Sequence, residues 1–256
     1  MGGEADGRNA SLGIAGGVGG AERPGYFQNV RREIEPLLPA RVESVLEVGC
    51  AAGGTMRWLR SIRDVKYAAG VEQEPEAARA ARLVFDDVEI GDAAASDFGF
   101  RQERFDLILA LDVLEHLADP WTILRRLREK LAKDGVFIAS VPNVAHYKVS
   151  LNLFLRGRWD YAEEGLLDRT HLRFFTRRTA VELFESTGYS VRRVLATFLC
   201  PNLFCSLWIS EREGRWYSQK PMRFLVPKRF VEFQYLIAVG RSGEDNGPGM
   251  PEAGAP

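Results

Sequence analysis

The sequence has almost no excess of charge of either sign. Its 256 residues carry 34 Lys and Arg against 35 Asp and Glu, which gives a formal net charge of −1. Proteins that bind nucleic acid through its phosphates concentrate positive charge on one surface. The nearly equal numbers of positive and negative residues therefore predict no nucleic-acid partner.

Cysteine is scarce, and long apolar runs are missing. Cys50, Cys200 and Cys205 form neither a paired framework nor the CxxC spacing of a metal site. No apolar stretch reaches the roughly 18 residues that a transmembrane helix needs, and no signal-peptide pattern is visible. We therefore expect a soluble, cytoplasmic protein with reduced thiols and no bound metal.

The two ends of the sequence have little to bury. Residues 1–22 are rich in Gly and Ala, and residues 242–256 have the same character. Such compositions are typical of disordered segments. Residues 23–241 are expected to form one α/β domain, since a chain of this length suits one core with insertions.

Between these ends, short apolar runs alternate with helical patterns. The run FDLILAL (105–111) is apolar at nearly every position, which is typical of a strand buried on both faces of a parallel sheet. The alternation predicts an α/β fold with an open, doubly wound, mostly parallel seven-stranded sheet, and leaves the direction of the last strand open. Strands are predicted at 44–48, 67–71, 88–90, 105–111, 136–141, 190–195 and 230–239. Helices are predicted at 26–38, 55–62, 75–84, 121–131 and 176–186. The helix at 121–131 is expected to bury an apolar face formed by Trp121, Leu124, Leu127 and Leu131.

Two segments interrupt the alternation and are interpreted as lid insertions. Residues 143–175 are rich in aromatics, Arg and His, and the run Leu151 to Leu155 is expected in the core of this lid. Residues 199–228 are more apolar and include Trp208. A homodimer surface, a groove for an amphiphilic acceptor and a peripheral membrane contact all remain open for this second insertion.

The first predicted strand runs into the turn VLEVGCAAGGT, residues 45–55. Gly49 and Gly53 allow the backbone to turn tightly and to approach a ligand closely. The free N–H groups at the start of the following helix suit a carboxylate. The turn by itself indicates a ligand site of unspecified kind.

An acidic residue follows each of the next three predicted strands. Glu72 comes about 20 residues after the turn, where a carboxylate can accept both hydroxyl donors of a ribose. Asp92 follows the third strand beside small residues that admit an adenine ring, and Asp112 leaves the buried fourth strand. Together these positions predict a nucleotide-type site at one edge of the sheet.

The motifs VLEVGCAAGG, VEQEP, GDAAA and FDLILALDVLEHLADP resemble those of class I S-adenosylmethionine-dependent methyltransferases, in the branch of ubiquinone-biosynthesis-type and polysaccharide-associated bacterial methyltransferases. The resemblance covers about residues 26–195. It implies a Rossmann-like methyltransferase fold, S-adenosyl-L-methionine as cofactor, and a small-molecule or glycan acceptor. The resemblance implies that Gly49 and Gly53 bind the methionine moiety of the cofactor and that Glu72 binds the ribose. It also implies that Asp92 binds the adenine and that Asp112 lies near the methionine amino group. The other implied cofactor-binding residues are Glu47, Cys50, Gln73, Ala93, Leu111 and His116.

One position departs from the family pattern. Ala51 stands where many members have the middle glycine of the turn. A methyl group is tolerated there if the residue keeps a negative φ, which is the expectation for Ala51.

Histidine supplies the expected catalytic group. A hydroxyl acceptor must lose its proton, and the ordinary pKa of histidine, about 6.5, suits a base. His171 in the lid is favoured narrowly over His146, although either could serve only to fix a loop, and His116 is expected to orient or cap. Asp168 is expected to orient or charge-stabilise the imidazole, and Arg169 or Arg173 to meet an anionic acceptor.

Several readings of the function stay open. The preferred acceptor is a sugar hydroxyl of a glycan or glycolipid, followed by a quinone-type phenol or small metabolite. A non-catalytic methyltransferase-like scaffold is one rival. An NAD-dependent oxidoreductase is disfavoured, because Ala51 breaks the G-x-G-x-x-G pattern and Asp92 and Asp112 would have no role.

Overall fold

The computed structural model describes residues 29–197, 209–212, 215–218 and 227–243. The predicted leader 1–22, nearly all of the tail 242–256 and most of the second insertion lie outside the described residues. Cys200, Cys205 and Trp208 do so as well.

Up to residue 142 the described strands alternate with helices, except that β3 is followed directly by β4. The helices are α1 (Gly54–Ile62), α2 (Pro75–Ala81), α3 (Pro120–Lys130), α4 (Tyr147–Arg156) and α5 (Arg177–Ser186), with 3-10 turns at Arg32–Leu37, Leu114–His116 and Lys228–Phe230. The strands are β1 (Ser44–Val48), β2 (Tyr67–Glu72), β3 (Asp87–Ile90), β4 (Phe105–Leu111), β5 (Leu131–Pro142), β6 (Tyr189–Thr197), β7 (Ile209–Arg212), β8 (Arg215–Ser218) and β9 (Gln234–Arg241).

Seven of these strands form one sheet in the order β3-β2-β1-β4-β5-β9-β6. All neighbours from β3 to β5 are parallel, whereas β9 is antiparallel to both β5 and β6. The predicted mostly parallel, seven-stranded sheet is therefore confirmed, and its last strand is the antiparallel one. β7 and β8 pair separately as an antiparallel hairpin.

The sheet is covered on both faces. Within β4, every residue except Asp106 is buried. Alternate β4 side chains belong to two apolar clusters, with Ile108 and Ala110 in one and Leu107 and Leu109 in the other. The apolar run that predicted a doubly covered strand thus has the burial that it implied.

The first predicted helix differs from the structure in type. Its described part is a 3-10 segment, Arg32–Leu37, that contains Pro36. Proline has no N–H to donate and clashes with an α-helical turn, so only short-range bonds such as Leu38 N–H to Glu35 O form here. Other boundaries move by a few residues, the largest being β5, which begins at Leu131, and β9, which begins at Gln234.

Two expectations about apolar side chains are wrong. Trp121 lies on the outer side of α3, 36% exposed, because Asp119 caps the helix and the buried face is formed by Pro120, Ile123, Leu124 and Leu127. The run Leu151 to Leu155 is not a lid core, since Phe154 is 84% exposed and Leu155 70%.

The two ends of the lid segment 143–175 are bonded to each other, and its first residue is bonded to the segment that precedes β9. Asn143 Nδ2 donates to the carbonyl oxygens of Arg229 and Glu232, both at 2.7 Å. Val144 N–H donates to Phe175 O at 2.9 Å. Among the described residues, no helix is long and apolar enough to cross a membrane.

Candidate functional site

The predicted site residues lie at the carboxyl edge of the parallel strands. β1 adjoins both β2 and β4, so the chain reverses its direction of progress across the sheet at β1. Such a reversal opens a crevice for ligands beyond the strand ends. Gly49 N–H donates to Val71 O at 2.8 Å, which places the turn after β1 beside the end of β2.

The turn uses its two predicted glycines in the left-handed region. Gly49 has a φ of +73° and Gly53 one of +79°. A Cβ on Gly49 would lie 2.7 Å from Val113 Cγ2, a contact that the packing does not permit. Gly53 directly precedes α1, whose free N–H groups therefore point into the crevice.

Ala51 does not keep the expected negative φ. Its φ is +46°, so it lies in the left-handed region, as Gly49 and Gly53 of the same turn do. The expectation was wrong because the path of the turn determines φ at this position. The alanine therefore adopts a strained backbone conformation. A left-handed alanine costs about 1–2 kcal/mol.

Replacing Ala51 with glycine is expected to stabilise the protein by about 0.5–1 kcal/mol. The relief of backbone strain exceeds the roughly 0.4–1 kcal/mol of extra chain entropy that glycine loses on folding. Thermal unfolding should show a Tm higher by about 2 °C for a domain of this size. Ala80→Gly, in the last turn of α2, is the matched control and should destabilise by up to about 1 kcal/mol. Equal losses in both variants would contradict the strain at Ala51.

Glu72 joins the turn to the end of β2. Its Oε2 accepts from Ala51 N–H at 2.8 Å and its Oε1 from Glu74 N–H at 2.9 Å. The side chain is buried. Each carboxylate oxygen can accept a further hydrogen bond, so Glu72 is preorganised for two hydroxyl donors. Gln73, the next residue, is exposed.

The end of β3 is more open. Asp92 is exposed, and its Oδ1 accepts from Ala94 N–H at 2.8 Å. Ala93 is half-buried and packs against the core. Gly91 N–H donates to Glu72 O at 2.9 Å, which keeps this strand end beside Glu72. The adenine role of Asp92 and Ala93 stays a prediction.

Asp112 lies in a polar cluster at the end of β4, directly after the buried Leu111. Its φ is +58°, and its Oδ1 accepts from Ser140 Oγ at 2.8 Å. Gln234 Nε2 also donates to the carboxylate. The guanidinium of Arg31 pairs with Asp112 and donates to Gln234 Oε1 at 3.0 Å.

Arg31 was missed from the sequence, because no motif surrounds it. Its backbone N–H donates to Thr55 Oγ1 at 3.2 Å, which anchors it at the first turn of α1. The guanidinium and Asp112 present opposite charges side by side at the crevice. This arrangement fits a group that carries both a carboxylate and an ammonium, as the amino-acid end of S-adenosylmethionine does.

Glu47, in β1, and Cys50, in the turn that follows β1, are both buried. Burial raises the pKa of Glu47 to about 8, against the opposing influence of Arg31. Its Oε2 is buried and has no hydrogen-bond partner among the described residues. Cys50 is a buried free thiol, and burial raises its pKa. An orphaned acceptor at this turn is consistent with a donor brought by a ligand.

His116 and His171 meet on the lid side of Asp112. Their rings lie edge to face with centroids 4.8 Å apart. His116 Nδ1 lies 3.3 Å from Thr170 O, and burial, assisted by His171, lowers the pKa of His116. The predicted orienting role of His116 therefore has a structural partner in the lid, whereas the catalytic role of His171 stays a prediction.

His146 lies apart from that pair, as the N-cap of α4. It is fully buried, and its Nδ1 accepts from Lys148 N–H at 3.4 Å. Its ring packs against Tyr147 and Phe233. The contacts are those of a capping residue, and nothing tests the alternative base role of His146.

The burial of His146 predicts a loss of stability in mild acid. Burial, assisted by Lys148, lowers the pKa of His146 from 6.5 to about 4. The unfolded chain therefore binds a proton at a higher pH than the folded protein, and stability is lost as the pH falls from about 6.5 toward about 4. Urea unfolding at pH 7 and pH 5 measures this loss. His146→Asn keeps a capping oxygen without titrating, so its stability should fall less; an equal fall would contradict the assignment.

The other charged residues of the lid already have partners within the protein. Asp168 Oδ1 accepts from Thr170 N–H at 2.8 Å and from Thr170 Oγ1 at 2.7 Å, so it acts on the loop rather than directly on an imidazole. Arg169 pairs with Glu163. Arg173 donates to Ala118 O and lies over the Trp121 ring. Contacts of the two arginines with an acceptor stay predictions.

Comparison with known proteins identifies the family. The profile of the family described as "Methyltransferase domain" matches residues 23–194. The chain belongs to this methyltransferase family. S-adenosylmethionine is its cofactor, and the charged pair of Arg31 and Asp112 with the Glu72 carboxylate suits that molecule.

Curated relatives of this methyltransferase carry one name. The ubiquinone biosynthesis O-methyltransferase of Azorhizobium caulinodans is 32% identical over 123 residues, which are 46% of each chain. That of Cereibacter sphaeroides is 29% identical over 117 residues, 44% of this chain and 46% of the relative. The chain thus matches slightly less than half the length of these relatives.

Solved structures confirm the class I fold. A SAM-dependent methyltransferase from Archaeoglobus fulgidus superposes with a TM-score of 0.54 at 19% identity, covering 82% of this chain and 90% of that one. A possible histamine N-methyltransferase from Thermotoga maritima gives a TM-score of 0.54 at 20% identity, covering 81% and 84%. At such identities the likeness concerns the fold alone.

Proposed function

We propose that this methyltransferase transfers a methyl group from S-adenosylmethionine to a hydroxyl oxygen of a small-molecule acceptor. The proposal depends on two pairs of side chains near the end of β4. They are the ion pair of Arg31 with Asp112 and the edge-to-face pair of His116 with His171. The first pair suits the amino-acid end of the cofactor, and the second suits a hydroxyl that must lose a proton.

Residues at the ends of β2, β3 and β4, together with Arg31, would hold the cofactor. Glu72 accepts the two ribose hydroxyls, while Asp92 and Ala93 bound the adenine. Asp112 accepts from the methionine ammonium, and Arg31 donates to its carboxylate. Because these groups are already held by hydrogen bonds to backbone and side chains, little ordering is required when the cofactor binds.

The reaction is a displacement at carbon. The bound cofactor supplies a methyl group on a sulfonium: the carbon–sulfur bond breaks with its electron pair left on sulfur, while the acceptor oxygen forms the new carbon–oxygen bond. Alignment and exclusion of water are the main demands on the protein. His171 accepts the hydroxyl proton, and His116 orients the approach.

Two acceptor classes are proposed. A sugar hydroxyl of a glycan or glycolipid is the expectation from the sequence, and neither the family match nor the relatives support it. The relatives are named as ubiquinone biosynthesis O-methyltransferases, which favours a phenolic hydroxyl. We propose that this reaction takes place in the cytoplasm.

Calorimetry and product release test the proposal. S-adenosylmethionine should bind with one site per chain, while NAD should give no heat. Release of S-adenosylhomocysteine should rise with either a substituted catechol or a sugar acceptor. Absence of cofactor binding would overturn the proposal, and binding without turnover on any hydroxyl acceptor would favour the scaffold reading.

A further inference from the structure

Three aromatic side chains of the lid, Trp159, Tyr161 and Phe174, lie together but are only partly covered by the protein. Trp159 and Phe174 meet edge to face with ring centroids 5.0 Å apart, and the Tyr161 ring lies 6.4 Å from that of Phe174. Trp159 and Phe174 are half-buried, and Tyr161 is 55% exposed. Covering such rings is favourable, since each offers a large apolar area. We call these three side chains the ring platform.

The ring platform is continuous with the histidine pair. The Phe174 ring lies 6.3 Å from that of His171, measured between centroids, and the His171 ring lies 4.8 Å from that of His116. An unbroken row of rings therefore runs from the turn after β4 to the exposed Tyr161. A molecule that enters along this row presents a hydroxyl to His171 while its remaining atoms lie on the platform.

Backbone hydrogen bonds hold the segments that carry these rings. Ala162 N–H, next to Tyr161, donates to Leu167 O at 2.9 Å. The N–H groups of Leu172 and Arg173, directly before Phe174, donate to Glu115 O at 2.8 and 2.9 Å. The rings are therefore in place before an acceptor arrives, and little ordering is required when it binds.

The polar groups near the platform favour an uncharged ligand with oxygen substituents. Hydrogen bonds among the described residues use neither the indole N–H of Trp159 nor the hydroxyl of Tyr161. Both groups can therefore bond to oxygen atoms at the edge of a ligand ring. Arg158, Arg169 and Arg173 of the same lid each already bond to a carboxylate or a carbonyl of the protein. An anionic ligand would have to compete with these partners.

We propose that Trp159, Tyr161 and Phe174 bind the ring of the methyl acceptor and so determine which hydroxyl compounds this methyltransferase accepts. The inference rests on the proposed function and deepens it. The ligand is an uncharged ring with a flat apolar face and oxygen substituents at its edge, a description that phenolic and sugar rings share. An open-chain alcohol has no such face to set against the platform, so it binds poorly.

Saturation-transfer NMR on the full chain tests the platform through binding alone. The probes are methylcatechol, methyl glucoside and glycerol, which offer an aromatic ring, a sugar ring and an open chain. We expect at least one ring probe to bind and glycerol not to bind. Trp159→Leu and Phe174→Leu should each raise the Kd of that ring probe by about 3–10-fold. Phe154→Leu changes an aromatic side chain of α4 that is 84% exposed and outside the platform; it should bind the probe as the wild type does.

Three outcomes would overturn the platform. They are no binding of either ring probe to the wild type, glycerol binding as tightly as the rings, and unchanged binding in Trp159→Leu and Phe174→Leu. Release of S-adenosylhomocysteine by the same samples tests the proposed function separately. Ring binding that weakens in the variants, without turnover in the wild type, would support the platform and reject the proposed reaction. Turnover with an unchanged KM in Trp159→Leu would reject the platform and leave the reaction.

Discussion

Replacing Glu72 with alanine is expected to weaken S-adenosylmethionine binding by about 100-fold or more. The carboxylate is held by the N–H groups of Ala51 and Glu74, and it would accept two ribose hydroxyls. Hydrogen bonds to a charged group contribute about 1.5–3 kcal/mol each, so losing two of them corresponds to at least this change in Kd. Calorimetric titration of the purified variant measures it.

Two further variants make the result specific. Glu76→Ala removes an exposed carboxylate four residues away, which pairs only with Arg79 among the described contacts; its affinity for the cofactor should equal that of the wild type. Glu72→Gln keeps the size and one acceptor oxygen, so an intermediate loss is expected. Thermal unfolding shows whether the turn remains intact. A Glu72→Ala protein that is folded and binds normally would remove Glu72 from the site.

The features of the fold that local patterns determine could be predicted. The apolar run of β4 indicated a strand covered on both faces, and Thr176 indicated the start of α5; the structure has both. The acids Glu72, Asp92 and Asp112 each follow a strand, so parallel topology alone places them at one edge of the sheet. The direction of β9 could not be predicted, because antiparallel pairing depends on the path of the preceding insertion.

Long-range contacts account for most of what was missed. Arg31 joins Asp112, Ser140 and Gln234, which are distant in sequence and belong to three different strands or strand ends. The contact of His116 with His171 could not be predicted either, because their segments meet only when the lid folds onto the turn after β4. Ala51 was misjudged for the opposite reason: its residue type indicated a negative φ, and the geometry of the turn overrode it.

Replacing His171 with alanine is expected to reduce turnover by about 10²–10⁴-fold while leaving the affinity for S-adenosylmethionine unchanged. The imidazole is 8% exposed and packs edge to face against His116, and it makes no described contact with the turn after β1. A positioned group that removes or stabilises the loss of a proton contributes an effect of this size. Single-turnover release of S-adenosylhomocysteine, with cofactor affinity measured separately, distinguishes the two quantities.

The controls decide whether the loss is chemical. Arg178→Ala, on the exposed first turn of α5, removes a solvent-exposed ion pair with Glu182, which contributes little to stability; its turnover should be unchanged. His171→Asn retains a polar side chain in the buried site and limits the cavity that alanine leaves. A folded His171→Ala protein with wild-type turnover would exclude His171 as the base.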